Sequence, residues 1–450
     1  MDILKDNVKP IYFKYLVAAS GSAMVVSVFG MIDAMMVGQY HGPTGTAALA
    51  VFSPLWSIIY CLGLLSGIGG SVLFANLRGR GEEGEAQQYF TLAMLYGVFL
   101  SVVAMIGIAV FRDPLLRFFG ADEELLCLAK LYLKPILWAF PCCVFTSIFS
   151  AYLRNDNNPG LATKAVIIGG VFNCVADYVC VFVLDLGILG AGIATSAAQY
   201  VAMFAMMAHF LSKKNTLRFV KPVAARKKIG NITLTGFSTA ISDLALGIIG
   251  ILFNRQVMKY LGSDALSVYG IIIQVTVLAQ CIAYGTGQAA QPIISQNYGA
   301  GQYGRIRECT KYSLCSAMGM GVFWMLVMLA FPNTLMNFFM DATPAVAEIA
   351  PRILRTYGLS YLLMPLNIFM TYYFQAMMKP NLAMTVSLAR GAVISGAMIL
   401  LLPMVLGPDS IWYAMVITEL LIAVYGGFQM LRGNQKQRKN VTSITKEEEK

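Results

Sequence analysis

Asn173 and Asp177 stand four residues apart in an apolar stretch, Asp33 closes the first long apolar run, and Asp243 and Glu419 lie inside two later ones. A charge at mid-bilayer costs about 2.5–3.5 kcal/mol on insertion scales, so each carboxylate placed there is a candidate functional group. The i, i+4 spacing sets Asn173 and Asp177 on one face of a helix, one above the other. If Asp33 approaches that face, two carboxylates and an amide share a poorly hydrated space. Desolvation and like-charge repulsion then call for a neutralising cation, either a proton or a sodium ion held by the same oxygens. Its release changes the local charge, which a bistable packing can convert into motion. The alternative is that Asn173 and Asp177 only hydrogen-bond across helices. A second set comprises Asp243, Arg390 and Glu419, either a carboxylate–arginine pair gluing the second half together or contacts for substrate or cation. Gln274, Gln280 and Gln288 line a cavity or pack near a polar end.

The elements that must carry these groups follow from composition. The 450 residues are 58% hydrophobic and 12% charged, with mean hydropathy +0.66. A soluble domain has about 25% charged residues. Residues 34–77, 86–111, 186–212, 265–304 and 312–340 contain no Asp, Glu, Lys or Arg. Each run exceeds the roughly 20 apolar residues that cross a bilayer as a helix. A soluble enzyme, a secreted disulfide scaffold and a β-barrel porin are excluded, the last for want of polar–apolar alternation. Polar breaks divide the chain into twelve segments, the first two over 12–38 and 47–77, the seventh and eighth over 229–260 and 265–298. The expectation is an all-α polytopic membrane protein.

Residues 213–228 form the one long hydrophilic break, with seven Lys or Arg and no acid, and the polar tail 434–450 is expected to be disordered. With loops numbered alternately, 24 of the 33 Lys and Arg fall on the side of the N-terminus, eight on the other, and Arg390 inside a segment. Positive-inside bias then puts both termini in the cytoplasm. The net charge of +10 thus reports topology and contact with anionic lipid, with no nucleic-acid partner. The nine cysteines show no C-x-x-C pair and read as small hydrophobes; the two histidines, His41 and His209, do not suggest a metal site. Asp122-Glu123-Glu124 reads as a solvated helix start, and the glycine runs lack the Lys-Ser/Thr of a phosphate loop, so the energy source is an ion gradient and no resident cofactor is expected.

The chain also resembles itself at an offset of 220. Gly30, Val37, Tyr40 and Gly42 fall on Gly250, Val257, Tyr260 and Gly262, and Gly79, Gly81 and Gly84 on Gly299, Gly301 and Gly304. One residue later, YLRNDNNPGLA (152–162) aligns with YFQAMMKPNLA (373–383). Six segments per copy is an even number, so both copies enter the membrane the same way up. The expected organisation is a parallel repeat of two six-helix bundles, an N-lobe (1–212) and a C-lobe (229–433), tied by the basic linker 213–228.

Several of these stretches resemble the multidrug and toxic compound extrusion family of cation-coupled exporters. They are MIDAMMVGQYHG (31–42), NCVADYVCVFVLDLGILGAGIAT (173–195), GTGQAAQPIISQNYGAG (285–301), YFQAMMKP (373–380) and IWYAMVITEL (411–420). The resemblance implies a substrate path between the lobes and alternating access driven by proton or sodium antiport. It also implies an N-lobe cation site at Asp33, Asn173, Asp177 and Thr195. The family's first-helix proline is missing from LVAASGSA (16–23), which leaves Gly21 or Gly30 to bend that helix, and Asp243 is what the chain offers where some members use a seventh-helix glutamate.

The reading is therefore a monomeric, non-enzymatic antiporter of a bacterial plasma membrane. It exports amphipathic, cationic small molecules by alternating access, with possible C-lobe contacts at Asp243, Arg390, Glu419 and Gln274. A flippase for a lipid-linked saccharide would show a row of central arginines, an exporter of one metabolite fits the same pattern, and a membrane transferase would need an acidic or His-rich cluster. An epitope at either terminus is expected to be digested by protease in inverted vesicles and protected in spheroplasts; the reverse pattern would invert the orientation.

Overall fold

The computed structural model describes residues 2–340 and 343–448, with no account of the side chains of Asp243, Leu246, Ile248 and those beyond Gly433. The described residues fold into helices with no strand. Helix satisfies every backbone donor and acceptor within one segment, which hydrocarbon requires. The helices are α1 (Val8–Gly79), α2 (Glu83–Val110), α3 (Arg112–Phe118), α4 (Glu123–Asn155), α5 (Pro159–Tyr178), α6 (Gly187–Met207), α7 (Ala225–Gly299), α8 (Tyr303–Ala330), α9 (Pro332–Phe339), α10 (Pro344–Gly358), α11 (Met364–Ala376), α12 (Pro380–Leu388), α13 (Ile394–Leu406) and α14 (Ala414–Glu448). Asn7, Asp122 and Thr343 cap α1, α4 and α10 with side-chain oxygens, so the Asp122 run is a helix start.

Among the described residues nine helices are long and apolar enough to span a bilayer. Two of them, α1 and α7, cross twice, and α10 with α11 makes one further crossing through a 3₁₀ turn at Leu359–Leu362. This gives twelve spans in two lobes. Helices were expected to break over 39–46 and 261–264. Instead each break is a single residue, Gly42 (φ 65, ψ −152) and Gly262 (φ 80, ψ −170). Only glycine takes such backbone without strain, so one residue turns the chain. Gly21 and Gly30 keep helical geometry, and the reversal in α1 lies at Gly42. The backbone of α14 continues past Gly433; the side chains of the tail expected to be disordered, 434–450, lie outside the described residues.

The repeat is visible in the backbone. Left-handed residues recur in pairs: Gly42 and Gly262, Gly81 and Gly301, Asn157 and Met378, Gly187 and Gly407. Each pair is offset by 220, or by 221 at Asn157 and Met378. The short helices α3 and α9 sit at the same offset.

The lobes meet along α1 and α7 on the face that carries the N-terminus. A Cβ on Gly79 would lie 2.0 Å from the Gln296 carbonyl oxygen, and one on Gly299 would lie 1.9 Å from that of Asn76. Those two contacts are related by the repeat. Ser295 donates to the Val72 carbonyl at 2.7 Å nearby. An apolar cluster seals the same face, with Ile11, Tyr12 and Tyr15 of α1 packed on Ile293, Phe369 and Phe374. Arg305 donates to the carbonyls of Ile3 and Asp6, pinning the N-terminal segment to the second half. Exposed side chains such as Phe99, Phe204 and Val424 form the apolar flanks that lipid covers.

The connection after α6 is docked on the first lobe. Asp156 takes Arg78 Nη1 at 2.9 Å, His209 Nε2 at 2.8 Å and the Thr216 amide at 2.9 Å, and the Thr216 hydroxyl as well. Burial works to raise the Asp156 pKa, yet the bonds from His209 and Thr216 and the Arg78 charge hold it below the ordinary carboxylate value. The next backbone amides, Arg218, Val220 and Val223, donate to Gln87, Thr91 and Gln88. The basic stretch is thus bonded at several residues to the N-terminal part of α2.

Gly79→Val and Gly299→Val are each expected to destabilise the protein by about 1–3 kcal/mol through overpacking. Gly107→Ala, whose added Cβ meets nothing within 4 Å, should be neutral or slightly stabilising. Thermal unfolding in detergent measures the difference, and equal midpoints for all three would remove the glycine seam from the account.

Candidate functional site

A cavity of about 470 Å³ opens in the first lobe and is closed on one side by Gln288 of α7; Asp33, Asn173 and Thr195 all line it. That volume is in the range of small-molecule sites. The chain delivers these residues from three helices. Asp33 comes from α1, nine residues before the Gly42 turn; Asn173 from α5; Thr195 from α6. Asn173 Nδ2 stands 3.5 Å from Thr195 Oγ1, so the two meet loosely. Asp177, one turn past Asn173, is fully buried and lies outside the cavity lining. Three of the four residues expected at the N-lobe site thus share one cavity, and the fourth is buried one turn from Asn173 on the same helix.

Tyr132 of α4 is the member that residue spacing did not suggest. It donates to Asp33 Oδ2 at 3.1 Å and shares the cavity wall with Thr195 and Trp56. Its ring packs edge-on against Phe52 at 4.9 Å, which fixes the hydroxyl. A tyrosine in an apolar helix carries no pattern that separates this role from packing.

Hydrogen bonding leaves the site incomplete. Asp33 Oδ1 and both carboxylate oxygens of Asp177 are buried without a partner. A buried carboxylate with nothing donating to it is costly, and a proton or a cation ligated by these oxygens removes the cost. The donor set of carboxylate, amide and hydroxyl oxygens suits either. Just after Asp177 the helix widens into a π-turn over Val179–Val183. Such bulges concentrate at functional sites because they re-aim the flanking side chains. His41 and Tyr40 brace the far end, His41 Nε2 accepting from the Ile188 amide at 3.0 Å and Tyr40 donating to Asp185 at 2.6 Å.

The second lobe is built differently. Arg390 Nε and Nη2 lie 2.9 and 2.8 Å from Glu419 Oε1, and Asn367 Nδ2 donates to Glu419 Oε2 at 2.6 Å. Arg390 and Glu419 thus form an internal ion pair. Arg390 sits in a second π-turn, Ala389–Val393, and with Glu419 it walls a smaller cavity of about 170 Å³. Gln280 lines that cavity, whereas Gln274, the glutamine expected there, is exposed and outside its lining. A helix position six residues on faces the other way, which the apolar run alone could not decide. Gln288 lines the larger cavity of the first lobe. The Asp243 side chain lies outside the described residues.

The MatE family model matches residues 18–179 and 239–399, once in each half. The chain is 21% identical over 401 residues to the multidrug export protein MepA of Staphylococcus aureus (strain N315), covering 88% of each. It is 21% identical over 408 residues to the MepA of Staphylococcus saprophyticus, covering 90% of this chain and 89% of that one. A solved structure described as the outward-facing conformation of a multidrug resistance MATE family transporter superposes with TM-score 0.89 at 20% identity, covering 97% of this chain and 98% of that one. Another, a MOP superfamily transporter from Pyrococcus furiosus described as having a binding pocket of reverse polarity, gives 0.87 at 20% identity and 97% coverage of both chains.

Removing one partner of a buried ion pair typically costs about 3–5 kcal/mol, while replacing both by apolar residues is close to neutral. Arg390→Met alone should show that loss in thermal unfolding, and Arg390→Met with Glu419→Leu should recover most of it. A single variant as stable as the parent would mean that the pair is not desolvated.

Proposed function

The chain belongs to the MatE family, and from that premise we propose that it is a secondary antiporter exporting amphipathic, cationic small molecules in exchange for protons or sodium. The observation that carries the coupling is Asp177, buried with neither carboxylate oxygen bonded, beside an Asp33 satisfied on one oxygen only. A coupling cation at Asp33, Asn173, Asp177 and Thr195 neutralises the pair. Its departure leaves charge that the surrounding packing accommodates only by rearranging. The second lobe, whose described membrane carboxylate Glu419 is neutralised by Arg390, shows no such demand among its described side chains. It acts as the rigid partner against which the first lobe works.

The proposed organisation is an N-lobe over 1–212, a linker over 213–228 and a C-lobe over 229–433, in a bacterial plasma membrane. With both termini cytoplasmic, the sealed face at Gly79 and Gly299 is the inner one, and the cavity faces outward. External cation enters at Asp33, its binding favours reclosure toward the cell interior, and each state admits substrate from one side. Coupling then requires only that cation and substrate favour different conformations. The relatives' names, multidrug export proteins, support a broad substrate range.

Efflux of ethidium from proteoliposomes, under a proton gradient and a sodium gradient in turn, tests this. Wild type is expected to move the dye under one of them, and Asp33→Asn and Asp177→Asn to lose at least about 10-fold in gradient-driven rate, in line with removal of a positioned ionisable group. Dye movement retained in both variants would sink the site. No dye movement by wild type under either gradient would turn the substrate class toward lipid-linked saccharides or a single metabolite.

A further inference from the structure

Arg154, in the last turn of α4, lines the same cavity as Asp33 and Tyr132 but at its other end. Tyr132 and Arg154 are 22 residues apart on one helix, so at about 1.5 Å per residue their backbones are roughly 30 Å apart. Arg154 is 8% exposed and donates one hydrogen bond, Nη1 to Ser150 Oγ at 2.8 Å. Among the described residues it makes no ion pair. The carboxylate next to it in sequence, Asp156, is taken by Arg78, His209 and Thr216.

A guanidinium carries five donors in a planar fork and stays charged, so burial with one neutral acceptor leaves most of that fork without a match. The repeat shows what an internally satisfied version looks like. Gln375, its counterpart in the second lobe, is neutral and bonded to Thr235, Ser238, Thr239 and Gln291. In the first lobe the arginine is instead left facing a cavity whose floor adds Ser22, Ser147 and Gln288.

We propose that Arg154 is a substrate-binding residue that takes a carboxylate, so that the preferred cargo is a zwitterionic amphiphile with its anionic end at the sealed floor. This deepens the export reading and rests on it for the word cargo, while the anion site itself does not. The bidentate fit of guanidinium to carboxylate supplies orientation as well as affinity. Because the floor and the Asp33 site are at opposite ends, substrate and coupling cation occupy the cavity without sharing ligands, and their exclusion is conformational.

The test uses the full chain in nanodiscs and two probes that differ in one group, a rhodamine with a free carboxylate and its methyl ester, titrated by fluorescence anisotropy. Arg154→Gln, the residue used at the repeat position, is expected to weaken the carboxylate probe by about 10- to 100-fold, the range for a charge-assisted hydrogen bond. The ester should change by less than about twofold, and its retained binding reports an intact cavity. Arg154→Lys should hold an intermediate affinity. On wild type alone, benzoate should displace the carboxylate probe and leave the ester bound. Equal affinity of the carboxylate probe for wild type and Arg154→Gln, or benzoate acting alike on both probes, would overturn the proposal. Loss of gradient-driven transport with this binding pattern intact would count against the export reading alone.

Discussion

An ionisable group in hydrocarbon must find a counter-charge, and this molecule answers that demand in opposite ways in its two halves. In the second half Glu419 is paired with Arg390 and bonded by Asn367, so the charge is neutralised internally and independently of any ligand. In the first half Asp33 and Asp177 are left with three oxygens unbonded. In the proposed function a cation from outside completes the interior around them. Everything else serves that imbalance: Tyr132 and Phe52 hold Asp33 in place, and the π-turn after Asp177 re-aims its helix.

The repeat makes the contrast sharper. The position corresponding to Asp33 at the 220-residue offset is Phe253, buried and stacked on Tyr269 at 4.6 Å. The same backbone therefore carries a charge in one lobe and an aromatic stack in the other. Similar folds with different polarity give two bodies that, in the proposed mechanism, differ in their response to the cation. The contact between them is suited to motion, because glycine against carbonyl at Gly79 and Gly299 holds the helices close without interlocked side chains. Close approach of small residues is how helices associate where lipid supplies no hydrophobic drive. The proposed cargo contact, Arg154, lies at that sealed end, and the proposed cation site lies away from it.

Much of this was legible in the residues in order. Charge-free runs longer than a bilayer gave the spans, Lys and Arg placement suggested the orientation, and a constant offset over glycines announced the two lobes. Asp33, Asn173 and Asp177 stood out because carboxylates and amides are expensive in lipid, wherever their neighbours are. Thr195 came from family resemblance, since a threonine in an apolar helix is unremarkable by itself. The breaks at Gly42 and Gly262 were read as loops because a polar gap looks the same whether one residue or eight turn the chain.

What the sequence determined by itself was what each residue costs to bury and how often along the chain it recurs, which is enough for segment count, repeat and the suspects inside the membrane. Lateral neighbours were decided by the tertiary structure alone. Tyr132 reached Asp33 across 99 positions, Gln280 rather than Gln274 faced the second cavity, and Arg390 met Glu419. The arginine at 154, counted from sequence as a headgroup-facing charge, was turned inward to a cavity floor. The reason is physical: lipid-facing and bundle-facing positions are equally apolar in a membrane helix, so periodicity says little about which side looks at which partner, and only packing resolves it.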